Sequence, residues 1–256
     1  MDKVLHLRAT AEDVGSYVFL CGDPSRVAAI ASHFDEPREV STARGYVIHC
    51  GRLAGKRVSV VGSGIGGPST AIAVEELIAL GARTFLRVGT CGSLQKTVAV
   101  GDTVISTAAV REEGTTRQYI PLEYPAAASW DVVQALVRSC QSANAPFHIG
   151  ITHCKDAFYS ELPEYTADPE GTERRWAAWT RGNVLCTEME ASTIFVIAAM
   201  RGCRAGAILH VVGSTIDGTL ITKASPIDRV LGIAVASMKQ LIEGDPRSPV
   251  TSDRRH

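Results

Sequence analysis

Three turns in this chain combine glycines with groups suited to an anion. Gly22-Asp23-Pro24-Ser25-Arg26 follows the apolar run Tyr17 to Cys21. Gly62-Ser63-Gly64-Ile65-Gly66-Gly67-Pro68-Ser69 follows Val58 to Val61, and Arg87-Val88-Gly89-Thr90-Cys91-Gly92 follows Thr84 to Leu86. Glycine lets a backbone approach a ligand closely, and exposed N–H groups in a turn attract negative charge. Arginine adds a planar fork of donors that suits phosphate. A lone arginine is most often a surface or ion-pair residue. Arg26 and Arg87 both stand just beyond buried-type strands and beside glycine turns, where open α/β sheets gather their ligands. The chemistry expected is the holding of a small anion.

The elements that must position these turns alternate in type. Strands are expected at Tyr17–Cys21, Tyr46–Cys50, Arg57–Val61, Thr84–Val88, Asp102–Val110, His148–Thr152 and Ala205–Val212. Helices are expected at Ser25–Phe34, Ser69–Leu80, Ser129–Ala143, Glu170–Thr180, Met189–Arg201 and Pro226–Glu243. That alternation predicts an α/β fold with a largely parallel or mixed sheet covered by helices. Pro24 and Pro68 fit a first helical turn, and Gly81 and Gly202 fit helix C-termini. Ser160 to Gly171 is polar, holds Pro163 and Pro169, and reads as a surface loop. The chain reads as one domain over 1–244 with a frayed tail over 245–256.

Bulk composition narrows the function. The 256 residues carry a formal net charge of −1, so no general attraction to nucleic acid or to an anionic membrane is expected. No apolar run approaches the roughly 18 residues that span a bilayer, and the first residues lack a signal-peptide core. Seven cysteines without a Cys-x-x-Cys pair favour reduced thiols and a cytoplasmic location over disulfides or zinc. No metal-ligand cluster stands out, and no metal or other cofactor is expected. Gly62, Gly64 and Gly67 fit G-x-G-x-x-G, which is a weak signal alone. The acidic residue a dinucleotide site wants about 20 positions on is missing, and Arg83 and Arg87 stand there instead. Those arginines leave an NADP site as an alternative, beside a tight turn with a packing role.

Four ordered motifs carry a resemblance. Gly22-Asp23-Pro24-Ser25-Arg26-Val27, then Gly64-Ile65-Gly66-Gly67-Pro68-Ser69-Thr70-Ala71-Ile72 leading into Glu75-Glu76-Leu77, then Arg87-Val88-Gly89-Thr90-Cys91-Gly92, then Glu188-Met189-Glu190-Ala191 resemble the nucleoside phosphorylase family. That family contains the uridine phosphorylases and the hexameric purine nucleoside phosphorylases. The match is collinear over about residues 6 to 243. Pro121-Leu122-Glu123-Tyr124-Pro125-Ala126 and Lys155-Asp156-Ala157-Phe158-Tyr159 look most like uridine phosphorylases.

The resemblance implies a single-domain, three-layer α/β/α fold with a central mixed sheet. It implies a phosphate cradle of Gly22, Arg26, Arg87 and Thr90, with Arg44 from a neighbouring subunit. It implies a ribose site at Met189 and Glu190, with the neighbour's His6 reaching the 5′-hydroxyl and Phe158 lying against base or ribose. Arg87, Thr90 and Glu190 would carry the chemistry. The implied partners are a nucleoside and inorganic phosphate, and the implied assembly is a homodimer unit built into a hexamer. The implied role is nucleoside salvage or catabolism.

Alone, Glu188 and Glu190 also read as helix N-terminal acids, Met189 and Phe158 as core, and His6 as a surface histidine. The chain departs from the family at the base. Uridine phosphorylases read uracil with a Gln and an Arg shortly after the Phe-Tyr pair, and Phe158 to Tyr165 holds neither. Glu161 stands near the Gln place. A carboxylate there accepts from uracil N3–H but repels O2 and O4, and it also suits a purine N1–H or an amino group. The Asp of the hexameric purine enzymes is replaced by Ser214 or Thr215, with Asp217 two or three residues late. Gly45 stands where a Glu contributes to a monovalent-cation site, so no potassium is expected. A uridine-type phosphorylase is the leading reading. A purine nucleoside phosphorylase, a hydrolytic nucleosidase and a catalytically weakened nucleoside-binding homologue are the alternatives.

Overall fold

A computed structural model describes residues 3–215 and 227–245. Burial of apolar strands organises the chain. β1 (Tyr17–Cys21) is buried along its whole length, as expected for a strand covered on both faces. It pairs in parallel with β4 (Lys56–Gly62) and β5 (Thr84–Ser93). β2 (Asp35–Ala43) and β3 (Tyr46–Leu53) extend this arm antiparallel beyond β4.

The other arm leaves from β5. β10 (Arg204–Ser214) pairs with β5 in parallel and with β6 (Thr103–Arg111) antiparallel. β6 pairs with β8 (Phe147–Cys154), β8 with the short β9 (Cys186–Glu188), and β9 returns to β5. Five strands therefore close on themselves. The two-residue β7 (Ala126–Ala127) hangs on β6, and together these make one mixed ten-stranded sheet.

Alternation of side chains along β1 feeds two cores. Tyr17, Phe19 and Cys21 pack with α1 (Arg26–Ala31), α3 (Trp130–Ser142) and α6 (Asp228–Glu243). Val18 and Leu20 pack with α2 (Gly67–Ala79) and α5 (Ala191–Met200) on the other face. The three-layer α/β/α expectation is borne out, with the added closure of five strands. α5 is buried from Ala191 to Ala198, as its mostly apolar sequence requires.

Several expectations need correction. The polar segment Ser160–Gly171 is not a plain loop. It forms two 3-10 turns, Tyr159–Glu161 and Pro163–Tyr165, and then the start of α4 (Pro169–Arg181), capped by Asp168 accepting from the Gly171 N–H at 2.9 Å. α2 begins at Gly67, ahead of Ser69, and α5 begins at Ala191, which leaves Met189 and Glu190 just before the helix. Asp245, read as the first tail residue, is buried and accepts from the Tyr17 hydroxyl and from Arg204. The rest of the tail and Asp217 lie outside the described residues. Gly81 (φ +106°) and Gly202 (φ +65°) do end helices in the left-handed region.

Candidate active site

The carboxyl ends of β1 and β5, with β9 beside them, open on one cleft of about 250 Å³. From the turn after β1 come Gly22 and Asp23, from the start of α1 comes Arg26, and from β5 come Arg87, Gly89 and Thr90. Beyond β9 stand Met189 and Glu190. Phe158, Glu161 and Lys155 form another part of the wall, and β10 contributes Val212 to Ser214 with Thr215 beyond it. Of the ten residues that the resemblance and the base loop assigned to substrate, eight line this cleft: Gly22, Arg26, Arg87, Thr90, Phe158, Glu161, Met189 and Glu190. His6 and Arg44 do not.

Arg87 is the centre of the charge arrangement. It is 3 % exposed, and burying a charge so fully requires paired partners. Its Nε donates to Glu188 Oε2 at 2.8 Å, and its Nη2 lies 2.6 Å from Glu190 Oε2. Nη1 has no hydrogen-bond partner among the described residues. One nitrogen of the fork thus remains for a ligand, beside the cleft that Arg87 lines.

Glu188 Oε2 also accepts from the Glu190 and Ala191 N–H groups, at 2.8 and 2.9 Å. Glu190 Oε1 accepts from the Gly66 N–H at 2.5 Å. Gly66 holds φ at +95°, which glycine takes without strain, and that conformation presents its N–H to Glu190. The glycine-rich turn therefore cradles an anion, but the anion is the protein's own carboxylate. Ile65 of the same turn lines the cleft. No dinucleotide phosphate is needed to account for these glycines.

Two buried carboxylates share one guanidinium. Burial pushes the Glu190 carboxyl above its ordinary value of 4.5. Arg87 pulls it back, and Glu188 pushes it up again. A carboxylate so placed gains much from any positive charge developing near it. Cys21, at the base of the first turn, is pushed up to about 12 by burial and is inert as a nucleophile.

Gly89 shows how tightly Arg87 is held. A Cβ there would stand 2.7 Å from the Arg87 Cζ and Nη2 atoms. The guanidinium is clamped by two carboxylates and has little freedom to move aside. Gly89→Ala is expected to displace the guanidinium and lower the thermal midpoint by about 2–10 °C. A thermal melt checks this, and an unchanged midpoint would refute it.

His6 and Arg44 sit elsewhere. The His6 ring Nδ1 lies 2.6 Å from Glu76 Oε1, and Glu76 also accepts from the His6 and Leu7 N–H groups. Burial raises the Glu76 carboxyl, but these hydrogen bonds outweigh it and hold it below its usual value. Arg44, with φ +52°, and Gly45, with φ +86°, are the two central residues of the exposed β2–β3 hairpin. Such a turn needs two left-handed residues, which explains a glycine at 45.

One cleft residue escaped the sequence reading. Lys155, at the carboxyl end of β8, is 5 % exposed, and its ammonium bonds Glu161. It also lies 5.5 Å from the Phe158 ring centre and 5.1 Å from that of Trp176. The signal was a lysine directly after an apolar strand, within a motif already quoted for Phe158 and Tyr159. Glu161 is therefore not the lone carboxylate that its sequence position suggested. Ser214 and Thr215 line the cleft at the place of the purine-type Asp.

The model of the Phosphorylase superfamily matches residues 16–243. A uridine phosphorylase of Treponema pallidum is 41% identical over 249 residues, 95% of this chain and 96% of that protein. A uridine phosphorylase of Thermococcus kodakarensis is 39% identical over 94% of this chain and 87% of its own length. A guanosine phosphorylase of Halorubrum lacusprofundi is 41% identical over 85% of this chain and 86% of its own length. With its motifs, its sheet and these matches running over nearly the whole length, the chain belongs to the phosphorylase superfamily.

Proposed function

We propose that this protein cleaves nucleosides by phosphorolysis and that uridine is a substrate, giving free base and ribose 1-phosphate. The single observation that carries this reading is Arg87. It is buried inside β5, which runs on to Ser93 in place of the turn expected at Arg87–Gly92; two carboxylates fix its fork, and Nη1 has no partner among the described residues. The uridine phosphorylases that align over nine-tenths of the chain support the choice of base.

In this reading Gly22, Arg26, Arg87 and Thr90 hold inorganic phosphate. Met189 and Glu190 hold the ribose, and Phe158 lies against the base. A phosphate oxygen forms a bond to C1′ while the C1′–N bond breaks, and the electron pair leaves with the base. The sugar becomes oxocarbenium-like, as in glycoside cleavage. Glu190 accepts from ribose hydroxyls and stands near the positive charge as it develops. Phosphate held in line with C1′ supplies most of the rate through positioning and electrostatics. A hydrolytic nucleosidase has no use for Arg26 and Arg87 at one cleft.

The test is cleavage of uridine followed by absorbance, with and without phosphate. The reading expects cleavage only with phosphate, or with arsenate in its place. Cleavage that proceeds unchanged without either would overturn it.

His6 and Arg44 lie outside the cleft of their own protomer, which supports delivery across an interface in a homodimer unit assembled into a hexamer. Complementation tests the sharing. Arg44→Ala and Arg87→Ala proteins, each inactive alone, are unfolded together and refolded as a mixture. Statistical mixing pairs half the chains as heterodimers, each with one intact site, so activity should return to roughly a quarter of the parent value. No recovery in a mixture whose subunits have exchanged would remove Arg44 from the site. Salvage of nucleosides inside the cytoplasm is the role that fits this chemistry. Among the described residues, no helix is long and apolar enough to cross a membrane.

A further inference from the structure

The base end of the cleft lacks the family's Gln and Arg, yet it is not empty of charge. Lys155 and Glu161 lie six positions apart, on the end of β8 and the first 3-10 turn. Both side chains are 6 % exposed, and both line the cleft beside Phe158. Phe158 and Trp176 sit about the ammonium, so water offers it little. A buried ion pair adds little stability compared with an apolar pair of like volume. Its presence on the wall of a ligand cleft calls for another reason.

We propose that Lys155 and Glu161 together read the base, selecting bases that carry an oxo group next to a ring N–H. This rests on the phosphorolysis reading of the same cleft. An ammonium only donates, and an ionised carboxylate only accepts. Side by side they match an acceptor next to a donor. Uracil presents that pair as O4 and N3–H, and guanine and hypoxanthine present it as O6 and N1–H. The second carboxylate oxygen also accepts from the guanine amino group.

Cytosine and adenine present the reverse order, an amino donor beside an unprotonated ring nitrogen. The glycosidic bond and the ribose site fix which edge meets which residue, so these bases set like against like. Relatives of both base classes exist, since a uridine and a guanosine phosphorylase are each 41% identical to this chain, over 249 and 218 residues. Uracil and guanine differ in size and share this edge. Lys155 and Glu161 are thus specificity residues for an oxo–imino edge, and the protein has a second activity on inosine and guanosine.

The test is kcat/KM at saturating phosphate for uridine, inosine, guanosine, cytidine and adenosine, with the full chain. The expected result is that the first three exceed the last two by about tenfold or more. The double variant Lys155→Met with Glu161→Leu removes both charges together and should bring uridine and cytidine within about threefold, with the phosphate KM little changed. If that protein does not fold, Lys155→Gln with Glu161→Gln also removes both charges, and its amides can each donate or accept, so the same loss of discrimination is expected. Cytidine or adenosine cleaved as well as uridine by the parent protein would overturn the proposal. So would a folded variant that keeps the parent's ratio. If no nucleoside is cleaved, phosphorolysis fails as a reading. The same five nucleosides titrated by calorimetry then decide the base proposal, and equal or absent binding contradicts it.

Discussion

Arg87→Ala is expected to lower kcat/KM for phosphate by about 10² to 10⁴. One or two charge-assisted hydrogen bonds to the dianion disappear, each contributing about 1.5–3 kcal/mol. The loss should appear first in the KM for phosphate, because the proposed role of Nη1, which has no partner among the described residues, is to bind the anion. Stability must fall as well. Glu188 and Glu190 are both buried and both lean on this guanidinium, so removing it leaves two buried carboxylates facing each other. Breaking such a group costs about 3–5 kcal/mol. One carboxyl then takes a proton, and the variant should lose stability as pH rises through neutrality. Arg87→Lys separates the two effects, since it keeps a charge for the carboxylates and loses the fork. Lysine should restore most of the thermal midpoint and little of the phosphate affinity. An Arg87→Ala protein with the parent's phosphate dependence would remove this part of β5 from the anion site.

Glu190→Gln should act on turnover instead of phosphate binding. The amide keeps the shape and the Gly66 contact but carries no charge for the oxocarbenium-like state. Loss of a preorganised electrostatic partner lowers kcat by about 10² to 10³. The phosphate KM should stay level or fall, because one negative charge beside the anion is gone. The parent's pH profile carries a further check. Burial lifts the Glu190 carboxyl above its ordinary value of 4.5, which bears on stability against pH. The linkage to stability has a definite sign. A carboxyl with a raised folded value contributes stability that is full below its unfolded value and is lost as pH rises through the folded one. Glu190→Gln should flatten that slope. A variant with the parent's kcat, or with the parent's slope of stability against pH, would contradict the role given to Glu190.

The sequence made the site more legible than the sheet. Arg26 and Arg87 stood out because both follow apolar runs and adjoin glycines, whereas Glu190 was picked out by the family resemblance. β1 was placed to the residue, since five apolar residues bounded by turn residues leave little choice. β2 was missed because an exposed edge strand, rich in charge and holding Pro37, does not look like a strand. β9 was missed because three residues carry no period. Closure of β5, β10, β6, β8 and β9 depends on pairings between distant segments, which no local pattern reports. The same limit hid the partners inside the site. Spacing gives no sign that Gly66 serves Glu190, and Lys155 looked like a motif residue until the turn after β8 brought Glu161 onto its ammonium.

The central claim is that inorganic phosphate is the nucleophile at Arg87. It is tested most directly by identifying the sugar product in the phosphorus NMR spectrum of a uridine reaction. The account predicts a new phosphate-ester signal from ribose 1-phosphate, growing in step with released base. Released base accompanied by free ribose, with the phosphate signal unchanged, would contradict it.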